Sequence, residues 1–207
     1  ADSEKLVLAA LLDLLKPSIS IEVGTFKGGS LSLIASKSAK TFTLDIDPSA
    51  GAYVPSGFDI DFIVGPSSVT LPKLLRQLSS SGHNPDFILI DGDHSSIGLK
   101  QDMDSLLSFA GWSGPTTVIF HDMGNPQCRE AALNSNWKES KFLEYFDLDF
   151  LPGRLIEHGG GGDGAGSFFG EGGRGGDGDG NPGSGGVPNG TGGGGASLSG
   201  GSAAGGG

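Results

Sequence analysis

The chain is 207 residues long with a net charge of −11, and 26 of its 39 glycines fall in the last 49 positions. The first 158 residues hold nearly all the large apolar side chains and are long enough to bury one core, which the tail is not. They still carry a net charge of −8, so a nucleic-acid backbone is excluded as the expected partner and cations are favoured. A single cysteine, Cys128, excludes an intramolecular disulfide and a Cys-rich zinc site, and it fits a reducing compartment. No apolar run approaches the roughly 20 residues of a membrane span, and no secretory signal is visible. The expectation is a soluble, cytoplasmic protein with no membrane contact. The chain opens at Ala1 rather than Met, so its natural start is expected upstream.

Ser3 precedes a run in which Leu6, Val7, Ala10, Leu11 and Leu14 recur at helical spacing, and Pro17 stops it, which predicts a first helix. Five apolar segments then read as strands: Ile19 to Val23, Thr41 to Leu44, Phe58 to Val64, Phe87 to Ile90 and Thr117 to Phe120. Between them, Ser30 to Ala35, Val69 to Leu78 and Leu99 to Phe109 show apolar residues three and four apart. Strand and helix alternate, which implies right-handed crossovers and a doubly wound, mostly parallel α/β sheet with helices on both faces. Tyr145 to Phe150 alternates and predicts a sixth strand, followed by a turn at Pro152-Gly153 and by Arg154-Leu155-Ile156. From residue 159 the pattern stops. Residues 1–158 are therefore read as one domain, and 159–207 as a disordered Gly-rich tail with an r.m.s. span of roughly 35 to 42 Å.

Ligands of doubly wound sheets bind beyond the carboxyl ends of the strands. After the first strand comes Glu22-Val23-Gly24-Thr25-Phe26-Lys27-Gly28-Gly29-Ser30, a turn whose glycines let a ligand approach the backbone or simply pack strand on helix. Thr25-Phe26 puts an aromatic where a dinucleotide fingerprint needs its second glycine, so a nucleoside without phosphates fits better than a pyrophosphate. After the second strand, Asp45 is the chosen partner for ribose hydroxyls and Asp47 the alternative. After the third, Ser67 and Ser68 either cap the next helix or reach a base edge. The fourth strand delivers Asp91-Gly92-Asp93-His94, and the fifth delivers His121-Asp122. If those strands are neighbours, Asp91, His121 and Asp122 form a hard-metal site, with His94 beside it as a base titrating near 6.5. His83 and His158 receive no role. Cys128 reads as packing, as do Trp137 and Phe142 in the segment Gln127 to Glu144, which is the only stretch available as a lid.

These motifs, in this order from Ile19 to Ile156, resemble the class I S-adenosylmethionine-dependent methyltransferases, and most closely the metal-dependent small-molecule O-methyltransferases of the macrocin and catechol types. The resemblance implies a Rossmann-like methyltransferase sheet, with glycine standing where relatives place the last strand. It implies that Glu22, Gly24 and Ser30, with Thr25 and Phe26 of the same turn, line the methionine part of the donor. Asp45 then holds the ribose, Ser67 and Ser68 meet adenine, and Asp91 borders the donor. It further implies that Asp91, His121 and Asp122 hold a divalent metal, magnesium in the relatives, and that His94 is the catalytic base. Many relatives carry a carboxylate where this chain has His121. The expected activity is O-methylation of a small hydroxylated metabolite, a sugar among them. Two alternatives stand beside it: a non-catalytic binding or scaffold protein built on a decayed domain, and a metal-dependent hydroxylase using two histidines and a carboxylate.

Overall fold

A computed structural model describes residues 2–150. The expected Gly-rich tail, the boundary at residue 158 and the turn around Arg154 lie outside the described residues. Helix α1 (Asp2–Leu15) turns Leu8 and Leu12, one helical turn apart, onto the sheet, where both are fully buried. Burying a leucine side chain this way stabilises by roughly 2 kcal/mol.

Strands β1 (Ile19–Val23), β2 (Lys40–Asp45), β3 (Ile60–Val64), β4 (Phe87–Ile90) and β5 (Thr117–Phe120) form one sheet, all parallel, in the order β3-β2-β1-β4-β5. The crossovers contain α2 (Leu31–Lys37), α3 (Ser67–Ser80) and α4 (Ser96–Leu107), and α5 (Pro126–Leu133) follows β5. Strand alternation divides the core in two. Phe87, Leu89 and Ile119 meet α1 and α2 on one face, while Ile21, Val23, Ile88 and Ile90 meet α3, α4 and α5 on the other. Because β1 is flanked by β2 on one side and β4 on the other, the chain leaves its carboxyl end in opposite directions. A cleft opens at that switch point.

All five expected strands form, and the helices run slightly longer than their apolar periodicity predicts. A short 3-10 helix at Pro48–Tyr53 was not expected; Asp47 caps it by accepting from the Ser49 amide. The expected sixth strand at Tyr145 to Phe150 does not form, and that stretch is irregular. Its alternation reflects one-sided packing instead: Phe146 stacks on Trp137 at 4.9 Å, Leu148 is buried, and Arg129 pairs with Asp149 at 2.6 Å. Trp137 is 7% exposed and donates its indole N–H to the Ala132 carbonyl, so it packs rather than forming a lid. No helix among the described residues is long and apolar enough to cross a membrane.

Candidate active site

The glycine turn after β1 is built by close approach. Gly24 has φ 98°, and a Cβ there would stand 2.1 Å from the Asp91 carbonyl oxygen, so only glycine lets this turn lie against the end of β4. Phe26 is held at φ 45° and is 72% exposed. Such a conformation costs on the order of 1–3 kcal/mol. Asp45 offsets that strain, because its Oδ2 accepts the Phe26 amide at 2.8 Å while Oδ1 accepts the Asp47 amide at 2.9 Å. Each carboxylate oxygen retains a further lone pair. Asp45 thereby ties the first turn to the second, and Asp47 turns to helix capping.

Glu22, Thr25 and Ser30 lie behind the turn and not in the cleft. Period-two alternation puts Ser20 and Glu22 on the face opposite Ile21 and Val23, and Glu22 is fully buried there. Ser30 Oγ donates to its Oε1 at 2.5 Å and Thr43 Oγ1 to its Oε2 at 2.8 Å, while Thr25 and Thr43 hydroxyls pair at 2.7 Å. Ser30 therefore makes no side-chain cap on α2. Burial outweighs the hydrogen bonds from Ser30 and Thr43 and pushes the Glu22 carboxyl up to about 8, so the acid is protonated at neutral pH.

The adjacent ends of β4 and β5 bring four functional side chains together. His94 Nε2 lies 3.1 Å from Asp91 Oδ1 and its Nδ1 lies 3.2 Å from Asp122 Oδ2. His121 Nδ1 is 2.9 Å from the same Asp91 oxygen and 3.1 Å from Asp122 Oδ1. Asp122 has φ 55°, a left-handed conformation that an Asp at a functional turn can adopt. The hydrogen bond to Asp91 holds the His94 imidazole above its ordinary range against burial, with the Asp122 charge adding to it. This departs from the unperturbed value expected from sequence. Burial opposes charge on His121 too, but hydrogen bonds to Asp122 and Asp91 prevail and push it up to about 10. The same two imidazoles pull Asp91 below the usual carboxylate range despite its burial. Cys128 is buried, its thiol pushed up to about 12 chiefly by burial, and it donates to the His94 carbonyl at 3.5 Å. It packs against the loop that carries His94.

A cleft of about 830 Å³ runs along these strand ends, a volume in the range of cofactor and small-molecule sites. Gly24, Phe26, Asp45 and the pair Ser67-Ser68 line it, together with Asp91, His94 and His121. Asp122 supports the two histidines from outside the lining. The group whose donor atoms lie close enough to share a cation is not the expected Asp91, His121 and Asp122. Asp91, His94 and His121 each place one donor atom within 4.8 Å of the others. Three residues were missed by sequence reasoning. Asp93 and Gln101 line the cleft, and Asp102 accepts from Ser67 Oγ at 3.0 Å. Ser67 does not cap α3, whose N-cap position is Pro66.

An all-parallel sheet in this order, with its cleft at the β1/β4 switch point, has the Rossmann-like fold that methyltransferases share. Residues 21–123 match the family described as a methyltransferase domain. Among solved structures, the SAH-bound methyltransferase PaMTH1 of Podospora anserina is 18% identical with a TM-score of 0.50, over 59% of this chain and 53% of that one. The O-methyltransferase of Bacillus cereus in complex with SAH is 17% identical with a TM-score of 0.46, over 66% and 63%. The N-methyltransferase NodS of Bradyrhizobium japonicum is 13% identical with a TM-score of 0.47, over 63% and 66%. The chain thus spans between 53% and 66% of the length of these structures. No curated protein matches the sequence.

Proposed function

We propose that the chain is an S-adenosylmethionine-dependent O-methyltransferase acting on a hydroxyl of a small metabolite, sugars among the candidates. The observation that carries this reading is the convergence of Asp91, His94 and His121 on the cleft at the strand ends of this sheet, with Asp122 behind the two histidines. Asp45 takes the ribose hydroxyls of the donor, Ser67 and Ser68 take adenine, and Gly24 and Phe26 flank the methionine part. Glu22, Thr25 and Ser30 act on the donor through the turn they brace. Holding the sulfonium methyl in line with the acceptor oxygen supplies most of the acceleration. His94 accepts the hydroxyl proton at Nε2 as the O–CH3 bond forms and the S–CH3 bond breaks, while Asp122 fixes its ring through Nδ1–H and Asp91 stabilises the imidazolium that forms.

Asp91 and His121 offer a carboxylate oxygen and an imidazole to a divalent cation, a set that suits a borderline ion such as zinc better than magnesium, which favours oxygen. Asp91 and His121 would hold it with Asp122 behind them, leaving the His94 lone pair for the proton. When bound, the ion supplies Lewis acidity that makes a hydroxyl easier to ionise. A second reading is favoured by the trio Asp91, His94 and His121 itself, since two histidines and a carboxylate also suit iron in oxygen-dependent hydroxylation. Copurified iron and oxygen consumption would select it.

Calorimetric titration with S-adenosylmethionine, with and without magnesium or manganese, tests the donor site. One-site binding is expected, weakened about 10- to 100-fold in Asp45→Ala through loss of charge-assisted hydrogen bonds. Absence of binding by the unmodified chain would overturn the enzyme reading and leave a binding or scaffold protein.

A further inference from the structure

Helix α4 buries Leu99, Met103 and Leu106 in one stripe, and Asp102 stands in that same stripe at 0% exposure. Its Oδ2 accepts from the Ser67 hydroxyl at 3.0 Å. Its Oδ1 is buried with no hydrogen-bond partner among the described residues. A half-satisfied carboxyl at an apolar position is a poor device for stability, since a leucine of similar size would fill the same space without desolvating a charge. Its one specific contact leads to the cleft, because Ser67 is a lining residue at the start of α3.

A serine hydroxyl has one proton and two lone pairs. Once the proton is committed to Asp102, only acceptor capacity remains for whatever occupies the cleft. Burial raises the Asp102 carboxyl to about 6, with the Ser67 hydrogen bond opposing and the Asp93 charge adding. The Ser67 hydroxyl is the donor in this pair, 3.0 Å from Asp102 Oδ2.

We propose that Asp102 is a positioning residue that fixes the Ser67 hydroxyl as an acceptor toward the cleft, so that this end of the cleft selects a base edge carrying an amino group. The inference rests on reading the cleft as an adenosyl site. It assigns to Asp102 a part in donor selectivity while keeping it out of contact with the donor. An N–H of the 6-amino group of adenine donates to Ser67. A purine lacking that group offers only ring nitrogens, which also accept, and two acceptors facing each other leave both unpaired.

Competition calorimetry on the full chain at neutral pH tests this with S-adenosylhomocysteine and its 6-desamino analogue. The unmodified chain is expected to prefer the amino compound by about 10-fold or more. In Asp102→Leu the Ser67 hydroxyl is free to rotate and donate to a ring nitrogen, so the preference falls to within about 3-fold while binding persists. Ser67→Ala loses the preference similarly and Ser67→Thr keeps it. Should leucine disturb helix packing, Asp102→Ala is read in the same way. A merely structural Asp102 would weaken both ligands in parallel, and an unchanged ratio in a folded Asp102 variant overturns the proposal. Failure of the unmodified chain to bind S-adenosylhomocysteine is a different result, and it removes the methyltransferase reading on which the proposal stands.

Discussion

His94→Ala is expected to lower methyl transfer by about 10²- to 10⁴-fold, the usual loss on removing a positioned general base, while S-adenosylmethionine binding changes only a few-fold. The separation follows from geometry. His94 faces Asp91 and Asp122 at the end of the cleft, whereas the ribose is assigned to Asp45 at the end of β2. Turnover is read on an acceptor found by screening hydroxylated sugars and related metabolites, and donor binding by calorimetry. Unchanged turnover would remove His94 from the reaction. The pH profile gives an independent check. A base must be neutral to accept a proton, and Asp91 and Asp122 raise the His94 imidazole above its ordinary range. Activity without added cation should therefore rise with pH through a value above 6.5, and Asp122→Asn should move that limb to lower pH by removing one of the two raising carboxylates. A limb that stays in place in Asp122→Asn would mean that another group is titrating.

Much of this site was legible before the fold was known, because strand ends and turn glycines announce themselves in one dimension. Asp45, Asp91, His94 and His121 all stand within four residues of the end of a strand with a simple apolar pattern, and all of them line the cleft. Where the reading slipped, a face had been confused with a position along the chain. Glu22 sits near the end of β1 like a cleft residue, yet Ile21 and Val23 occupy the other side of the strand, and alternation sends Glu22 inward. Thr41 and Thr43 alternate with Phe42 and Leu44 in the same way, and Thr43 becomes a partner of Glu22. Asp102 had a signal as well: an acid three residues after Leu99 and four before Leu106 belongs to a buried helical stripe. What one dimension did not carry was the pairing across elements. That Ser67 turns to Asp102, or that Asp122 serves both histidines, depends on the packing of α3 against α4 and of β4 beside β5.

The buried Glu22 gives the largest expected effect on stability. Its carboxyl is raised from 4.5 to about 8, so in the window between those values the folded chain keeps a proton that the unfolded chain has released. The contribution of the neutral acid is fully present below pH 4.5 and is lost as pH rises through about 8, a change of ~5 kcal/mol across the window. Glu22→Gln replaces the protonated acid by a neutral group of the same shape. Its amide oxygen can accept from Ser30, and its NH2 can donate to Thr43, which passes its own proton to Thr25. Urea unfolding of both proteins at pH 5, 7 and 9 should show nearly equal stability at the lowest pH and a growing advantage for Glu22→Gln above it, reaching several kcal/mol. The comparison cancels the titration of Asp91, His121 and Asp102, which both proteins share. A difference independent of pH would show that Glu22 is ionised in the fold. The Ser30 and Thr43 hydrogen bonds would then outweigh its burial, and a charge would lie beneath the turn assigned to the donor.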